Sequence, residues 1–136
     1  MASFIWDQTL ALKVDSMDEE HKSLIGLMNA LEEKWIAKSS FEELNDCMKR
    51  LITFTIKHFS DEEAYMKSVG FPEFPQHKAL HSQMLSQLGA FATQFEASKI
   101  LDDKFFHFLQ MWLKGHIRGV DMKYSIHSLD KSNPTR

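Results

Sequence analysis

Two pairs of side chains four residues apart carry metal-binding chemistry. His58 and Glu62, and likewise His77 and His81, would stand one above the other on a helix. His21, His116 and Asp121 fall on the same kind of apolar stripe. A single histidine on such a stripe is ordinarily a hydrogen-bonded core residue, and a buried carboxylate is rarer and needs a partner. Here five imidazoles and two carboxylates come from four separate segments onto inward faces. Left unpaired, two buried carboxylates would each cost several kcal/mol or take up a proton. Cations at the centre of the cluster remove that cost, and metal sites in helix bundles are built in this way.

Seven ligands exceed the needs of one metal, so two are implied. If both carboxylates bridge, and a solvent-derived oxo or hydroxo group adds a third bridge, the five histidines divide three and two. One metal is then six-coordinate and closed. The other is five-coordinate, with one position open to a small exogenous ligand. Mixed imidazole and carboxylate donors at this coordination number favour iron or manganese over tetrahedral zinc. The absence of cysteine ligands argues against an iron–sulfur cluster. Leu24, Phe59, Met66, Trp112, Leu113 and Ile117 lie beside the ligands on the stripes and predict a dry, apolar pocket. Such a pocket offers few protons, and a histidine-rich donor set stabilises high-valent iron less than a carboxylate-rich one. Both features favour carrying O2 over activating it.

Four amphipathic helices must position these groups. From His21, the residues Leu24, Ile25, Met28, Leu31 and Trp35 continue one face, predicting a first helix over about 18–37. Ser40 followed by Glu43 reads as a capping box for a second helix over about 41–69, which Gly70 would end. Pro75 suits the first turn of a third, over about 75–97. A fourth, over about 101–118, carries Phe105, Trp112, Leu113, His116 and Ile117. Asp121 follows His116 by five residues, about 140° out of phase in an ideal α-helix. Gly115 and Gly119 would allow a π-type widening or a loosened end there. No segment reads as a clear period-2 strand. The expectation is an all-α, antiparallel up-down-up-down four-helix bundle in a single domain, 1–136. An N-terminal arm over 1–17 would pack its aromatic residues on the bundle, and an irregular or helical tail would follow over 119–136.

Composition narrows the function. The chain has 136 residues, 43% of them hydrophobic and 26% charged, which is enough for one core and argues against disorder. A net charge of −3 gives no electrostatic footprint for nucleic acid. No apolar run reaches the ~18 residues of a membrane span, and the first ten residues lack the basic region of a signal peptide. The single cysteine, Cys47, fits a reducing compartment, so a cytoplasmic location is expected. It reads as a core residue about 16 Å along its helix from His58, too far to be a ligand. His107 lies about 180° round its helix from His116 and reads as a surface residue; His127 is assigned no role.

The motifs together resemble those of the hemerythrins, in particular the single-domain bacteriohemerythrins. The matching segments are Trp6-Asp7, Met17-Asp18-Glu19-Glu20-His21-Lys22, and His58-Phe59-Ser60-Asp61-Glu62-Glu63 with Met66. To these add Pro75-Gln76-His77-Lys78-Ala79-Leu80-His81 and Trp112 through Asp121 with Tyr124. The resemblance implies a non-haem di-iron centre that binds O2 reversibly. By position, His77, His81 and His116 would hold the six-coordinate iron, His21 and His58 the iron that binds O2, and Glu62 and Asp121 would bridge. Glu63 reads as solvated, with an i+4 contact to Lys67, rather than as a ligand. The implied role is O2 transport, storage or delivery to an oxygen-using enzyme. The competing roles are an O2, NO or redox sensor acting through a separate partner, and a di-iron enzyme such as an NO reductase; a catalytic role is not expected.

Overall fold

The computed structural model describes residues 4–6, 10, 12, 14–124 and 126 and, of 118–120, the backbone only. His127 and the polar 131–136 segment lie outside these residues, as do parts of the expected arm. The described chain is an all-α four-helix bundle. Its helices are α1 (Asp15–Ile36), α2 (Phe41–Ser68), α3 (Phe74–Ser98) and α4 (Asp103–Met111), the last continuing as a π-helical segment, Trp112–Asp121. The connections 37–40, 69–73 and 99–102 are too short for anything but antiparallel neighbours.

Local chemistry accounts for each boundary. α1 begins three residues before the expected start. The Val14 carbonyl accepts from the Asp18 amide at 2.9 Å, and Asp15 and Asp18 supply first-turn acids. Ser40 Oγ accepts from the Glu43 amide at 3.2 Å and caps α2. The other half of the expected capping box is not what the Glu43 side chain does: its carboxylate lies 3.7 Å from Lys34 Nζ on α1. At the far end of α2 Gly70 takes φ 65°, and the amides of Gly70 and Phe71 bond back to the carbonyls of Lys67 and Met66. This is a Schellman cap, in which glycine carries the left-handed residue without strain. Pro75 stands in the first turn of α3, and Asp102 caps α4 through the Lys104 amide.

The fourth helix departs from the even α-helix expected over 101–118. The π-helical segment repeats its hydrogen bonds at i→i+5, so residues five apart come onto one face. The chain then continues helically through Tyr124, which is fully buried. The arm is tied to α1 by Asn29, whose side chain accepts from the Phe4 amide at 3.0 Å and donates to the Phe4 carbonyl at 2.7 Å. Phe4 itself is buried, and Lys22 Nζ lies 4.5 Å above the Trp6 ring.

The bundle divides into two halves. One holds an aromatic core that includes Phe41, Phe95, Phe105 and Phe106, with the Trp35 indole donating to the Leu101 carbonyl at 2.7 Å. Each fully buried side chain of this kind contributes about 1.5–3 kcal/mol. The other half holds the histidines. His21 lies near the start of α1, His58 and Glu62 near the end of α2, His77 and His81 near the start of α3, and His116 past the end of α4. Antiparallel packing brings these four ends to one level. No helix among the described residues is long and apolar enough to cross a membrane.

Candidate metal centre

All five stripe histidines and both carboxylates are buried, from 0% exposure for His21, His58 and Glu62 to 6% for His116. Every one of the five imidazoles turns Nε2 toward a carboxylate oxygen. Glu62 divides its two oxygens. Oε1 faces His81 at 2.8 Å and His77 at 3.5 Å; Oε2 faces His58 at 3.2 Å and His21 at 3.3 Å. Asp121 does the same, with Oδ1 at 2.8 Å from His77 and 3.0 Å from His116, and Oδ2 at 3.3 Å from His21. The donors therefore fall into two groups that share both acids. One is His77, His81 and His116 with Glu62 and Asp121; the other is His21 and His58 with the same two acids. The π-helical segment brings Asp121 to His116, five residues away, where α-helical phase would separate them.

Nε2 of His58, His77, His81 and His116, Oε1 of Glu62 and Oδ1 of Asp121 are buried yet make no well-directed hydrogen bond. Their separations are short, but the contacts do not meet hydrogen-bond geometry. Buried polar atoms in that condition are costly and rare. Within each group the donor atoms lie within 4.8 Å of one another, close enough to share a cation, and imidazole with carboxylate is a donor set that transition metals accept.

Charge supports the same geometry. Burial opposes ionisation of Glu62, but the four imidazoles of His21, His58, His77 and His81 outweigh it and hold the carboxyl well below its usual range. Burial and the charge of Glu62 push Asp121 up; His116 and His21 prevail and hold it far below. Burial lowers His58, yet the carboxylates of Glu20 and Glu62 raise it to about 10. His77 is raised to about 9 against its burial by Asp121 and Glu62, and His21 is raised by the same two acids. Without metal, His21, His58 and His77 are thus favoured as imidazolium ions beside the two carboxylates.

A second ring of side chains orients the first. Nδ1 of His58 donates to Glu20 Oε1 at 2.7 Å, and Nδ1 of His81 to Glu63 Oε2 at 3.0 Å. The Tyr124 hydroxyl donates to Glu62 Oε2 at 3.0 Å. Burial and the nearby acids push that phenol far above its ordinary range, so it keeps its proton. Glu63 corrects the sequence reading. It is not a solvated acid spanning to Lys67 but a 22% exposed side chain bound to His81. Histidine phase alone gives no sign of these three supports. The signal lies in acids adjacent to ligand positions, Glu20 before His21 and Glu63 after Glu62, which flank the inward face. Of the remaining candidates, His107 is exposed, and Cys47 is half-buried against the core.

The six residues expected to form an apolar pocket are all buried, and two of them share a cavity. Phe59 and Trp112, 6.0 Å apart, line a cavity of about 10 Å³ together with Leu51, Leu88 and Leu109. Leu24, Met66, Leu113 and Ile117 are not among its walls. The volume suits about one water-sized molecule. Thr55, which also lines it, spends its hydroxyl hydrogen on the Leu51 carbonyl at 2.7 Å. Phe59 separates the cavity from the centre and stacks on His81 with ring centroids 3.9 Å apart.

Comparison with known proteins agrees with this arrangement. Residues 12–125 match the hemerythrin HHE cation binding domain family. The chain is 28% identical to a bacteriohemerythrin of Stenotrophomonas maltophilia, the match covering 92% of this chain and 81% of that one. It is 30% identical to a myohemerythrin of Riftia pachyptila, covering 89% and 90%. It superposes on a crystal structure of wild-type hemerythrin with a TM-score of 0.85 at 26% identity, covering 93% of this chain and 98% of that one. The chain belongs to the hemerythrin family.

Proposed function

We propose that the protein binds dioxygen reversibly at a pair of non-haem iron ions, for O2 transport, storage or delivery to an oxygen-using enzyme. One observation carries this reading: Glu62 and Asp121 each split their two oxygens between a group of three histidines and a group of two. His77, His81 and His116 would hold one ion, His21 and His58 the other, and the two acids would bridge. Two Fe(II) ions held there supply two electrons and, on the side with fewer histidines, an open position for a small ligand.

The chain's own residues set the rest of the behaviour. Glu20 and Glu63 fix two ring orientations, and Tyr124 holds one oxygen of Glu62. Leu24, Phe59, Met66, Trp112, Leu113 and Ile117 would exclude water from the centre, and all are buried at 7% exposure or less. With Thr55 committed to the backbone, the adjoining cavity presents little to give a proton, which favours holding O2 over reducing it. We therefore read the chain as a binding protein rather than an enzyme, in the reducing compartment that its lone cysteine suits.

Anaerobic reconstitution with Fe(II), followed by cycles of air and argon, tests this reading. A visible charge-transfer band that appears in air and disappears under argon is expected. Rapid oxidation with no reversible band would overturn it.

A further inference from the structure

His116 is the most exposed of the five histidines at the centre, at 6%. Its Nε2 turns inward to Asp121 at 3.0 Å, and the same ring lines an open groove of about 450 Å³ between α3 and the fourth helix. One side chain therefore touches both the centre and the surface. Leu80 and Met84 form one wall of the groove; Phe108, Met111, Trp112 and Gly115 form the other. Met111 is 64% exposed and Leu80 38%. Apolar side chains gathered at an open groove mark a contact surface, and methionine packs against varied partners.

Charge gives this groove a sign. Asp and Glu outnumber Lys and Arg along α1 and α2, whereas residues 74–95 and 104–120 hold no acid at all. Their charged residues are Lys78, Lys104, Lys114 and Arg118. Lys104 stands at helical spacing from Phe108 and Met111, and Lys114 directly precedes Gly115; both are exposed. Acids return only at the ends of this face, as Glu73 and Glu96 on α3 and Asp102 and Asp103 at the start of α4. The chain as a whole is negative, so a cationic rim here orients an acidic partner toward this groove and away from α1 and α2.

We infer that the groove between α3 and the fourth helix docks a small acidic protein that carries single electrons, and that His116 is where those electrons enter the centre. A diatomic gas needs no docked partner, but electron transfer does, because its rate falls steeply with distance; a ligand ring lining the groove keeps that distance short. Two reduced carriers dock in turn. Each gives up one electron and leaves oxidised by one, and the pair of irons passes from Fe(III) to Fe(II). No covalent bond of the protein is made or broken. The inference rests on the proposed function in that only an Fe(II) pair has the electrons that O2 binding draws on.

A plant-type [2Fe–2S] ferredoxin, acidic and of low potential, is the probe. Reduced ferredoxin is mixed anaerobically, at low ionic strength, with the iron-loaded chain oxidised by ferricyanide, and its reoxidation is followed by stopped-flow absorbance. Lys104→Glu/Lys114→Glu should slow the second-order rate constant about tenfold. Lys49→Glu/Arg50→Glu on α2, with the same change in net charge, should alter it by less than about twofold, and the difference should vanish in about 1 M salt. Docking is read separately on the zinc-loaded chain, where oxidised ferredoxin should shift the amide signals of Leu80, Met84, Met111 and Gly115. Equal slowing by both double variants, or amide shifts that are absent or gathered on α1 and α2, overturns the proposal. So do shifts of the groove amides with chain concentration alone, which would seat a second copy there. The zinc-loaded chain has no O2 chemistry, so a failure of docking is distinguished from a failure of reversible O2 binding.

Discussion

Nδ1 of the fully buried His58 lies 2.7 Å from Oε1 of Glu20, a residue of the neighbouring helix that is 17% exposed. The same carboxylate reaches Lys57 through its other oxygen at 3.6 Å. Glu20 thereby joins a ring at the centre to the protein surface and fixes which ring nitrogen faces inward. Glu20→Ala should lower Fe(II) affinity about 10- to 100-fold, the usual consequence of removing such a partner. Glu20→Gln, which still accepts a hydrogen bond, should lower it less. Chelator competition measures both. Glu19→Gln, at a side chain 75% exposed, is the control and should change nothing.

Tyr124 supports a shared carboxylate rather than a ring. Tyr124→Phe removes the hydroxyl that donates to Glu62 Oε2 and keeps the buried ring. A hydrogen bond to a charged group contributes about 1.5–3 kcal/mol, and urea unfolding of the metal-free chain should fall by that amount. A loss near zero would mean that the hydroxyl does not hold Glu62.

The metal-free chain should respond to pH in a defined direction. His58 and His77 are raised to about 10 and about 9 from an ordinary 6.5. Their contribution to stability is complete below about 6.5 and is lost as pH rises through 9 to 10. Glu62 is shifted the other way. Its contribution is present above the ordinary carboxylate range and is lost as pH falls toward its depressed pKa. Thermal unfolding of the metal-free chain should therefore weaken between pH 7 and 10. The iron-loaded chain, whose histidines are already neutral, should lack that loss. Metal binding near pH 7 should release protons, measurable as a buffer-dependent binding enthalpy.

Gly115 tests what maintains the π-helical segment. A Cβ added there meets nothing within 4 Å, and its backbone does not need positive φ. If packing and the His116–Asp121 pair hold the segment, Gly115→Ala should leave metal content unchanged. It should also stabilise the chain by about 0.5–1 kcal/mol through the unfolded state. Loss of metal in this variant would show that glycine freedom is required.

The bundle and its inward face were legible because apolar residues recur at helical spacing and because Ser40, Gly70 and Pro75 end or begin helices by local rules. The polar groups that break the stripes announced the centre, since a buried carboxylate such as Glu62 has to be compensated. The supports were legible only as acids next to ligand positions, with no sign of what they bind. Glu20 and Glu63 lie about 100° from their ligand neighbours, on helix flanks, and phase does not say which helix a flank meets. The apolar pocket fared differently again. Burial of Leu24, Met66, Leu113 and Ile117 follows from periodicity, whereas the cavity wall depends on how Leu51, Leu88 and Leu109 interlock across three helices. The register of Asp121 with His116 required the π-helical segment, for which the glycines were only a permissive sign.

The most direct test of the central claim is O2 uptake by the chain after anaerobic loading with Fe(II), measured against its iron content. Uptake of one O2 for every two irons, returned in full when the solution is purged with argon, is the predicted result. A chain that holds a single iron, or that consumes O2 without returning it, would contradict the account.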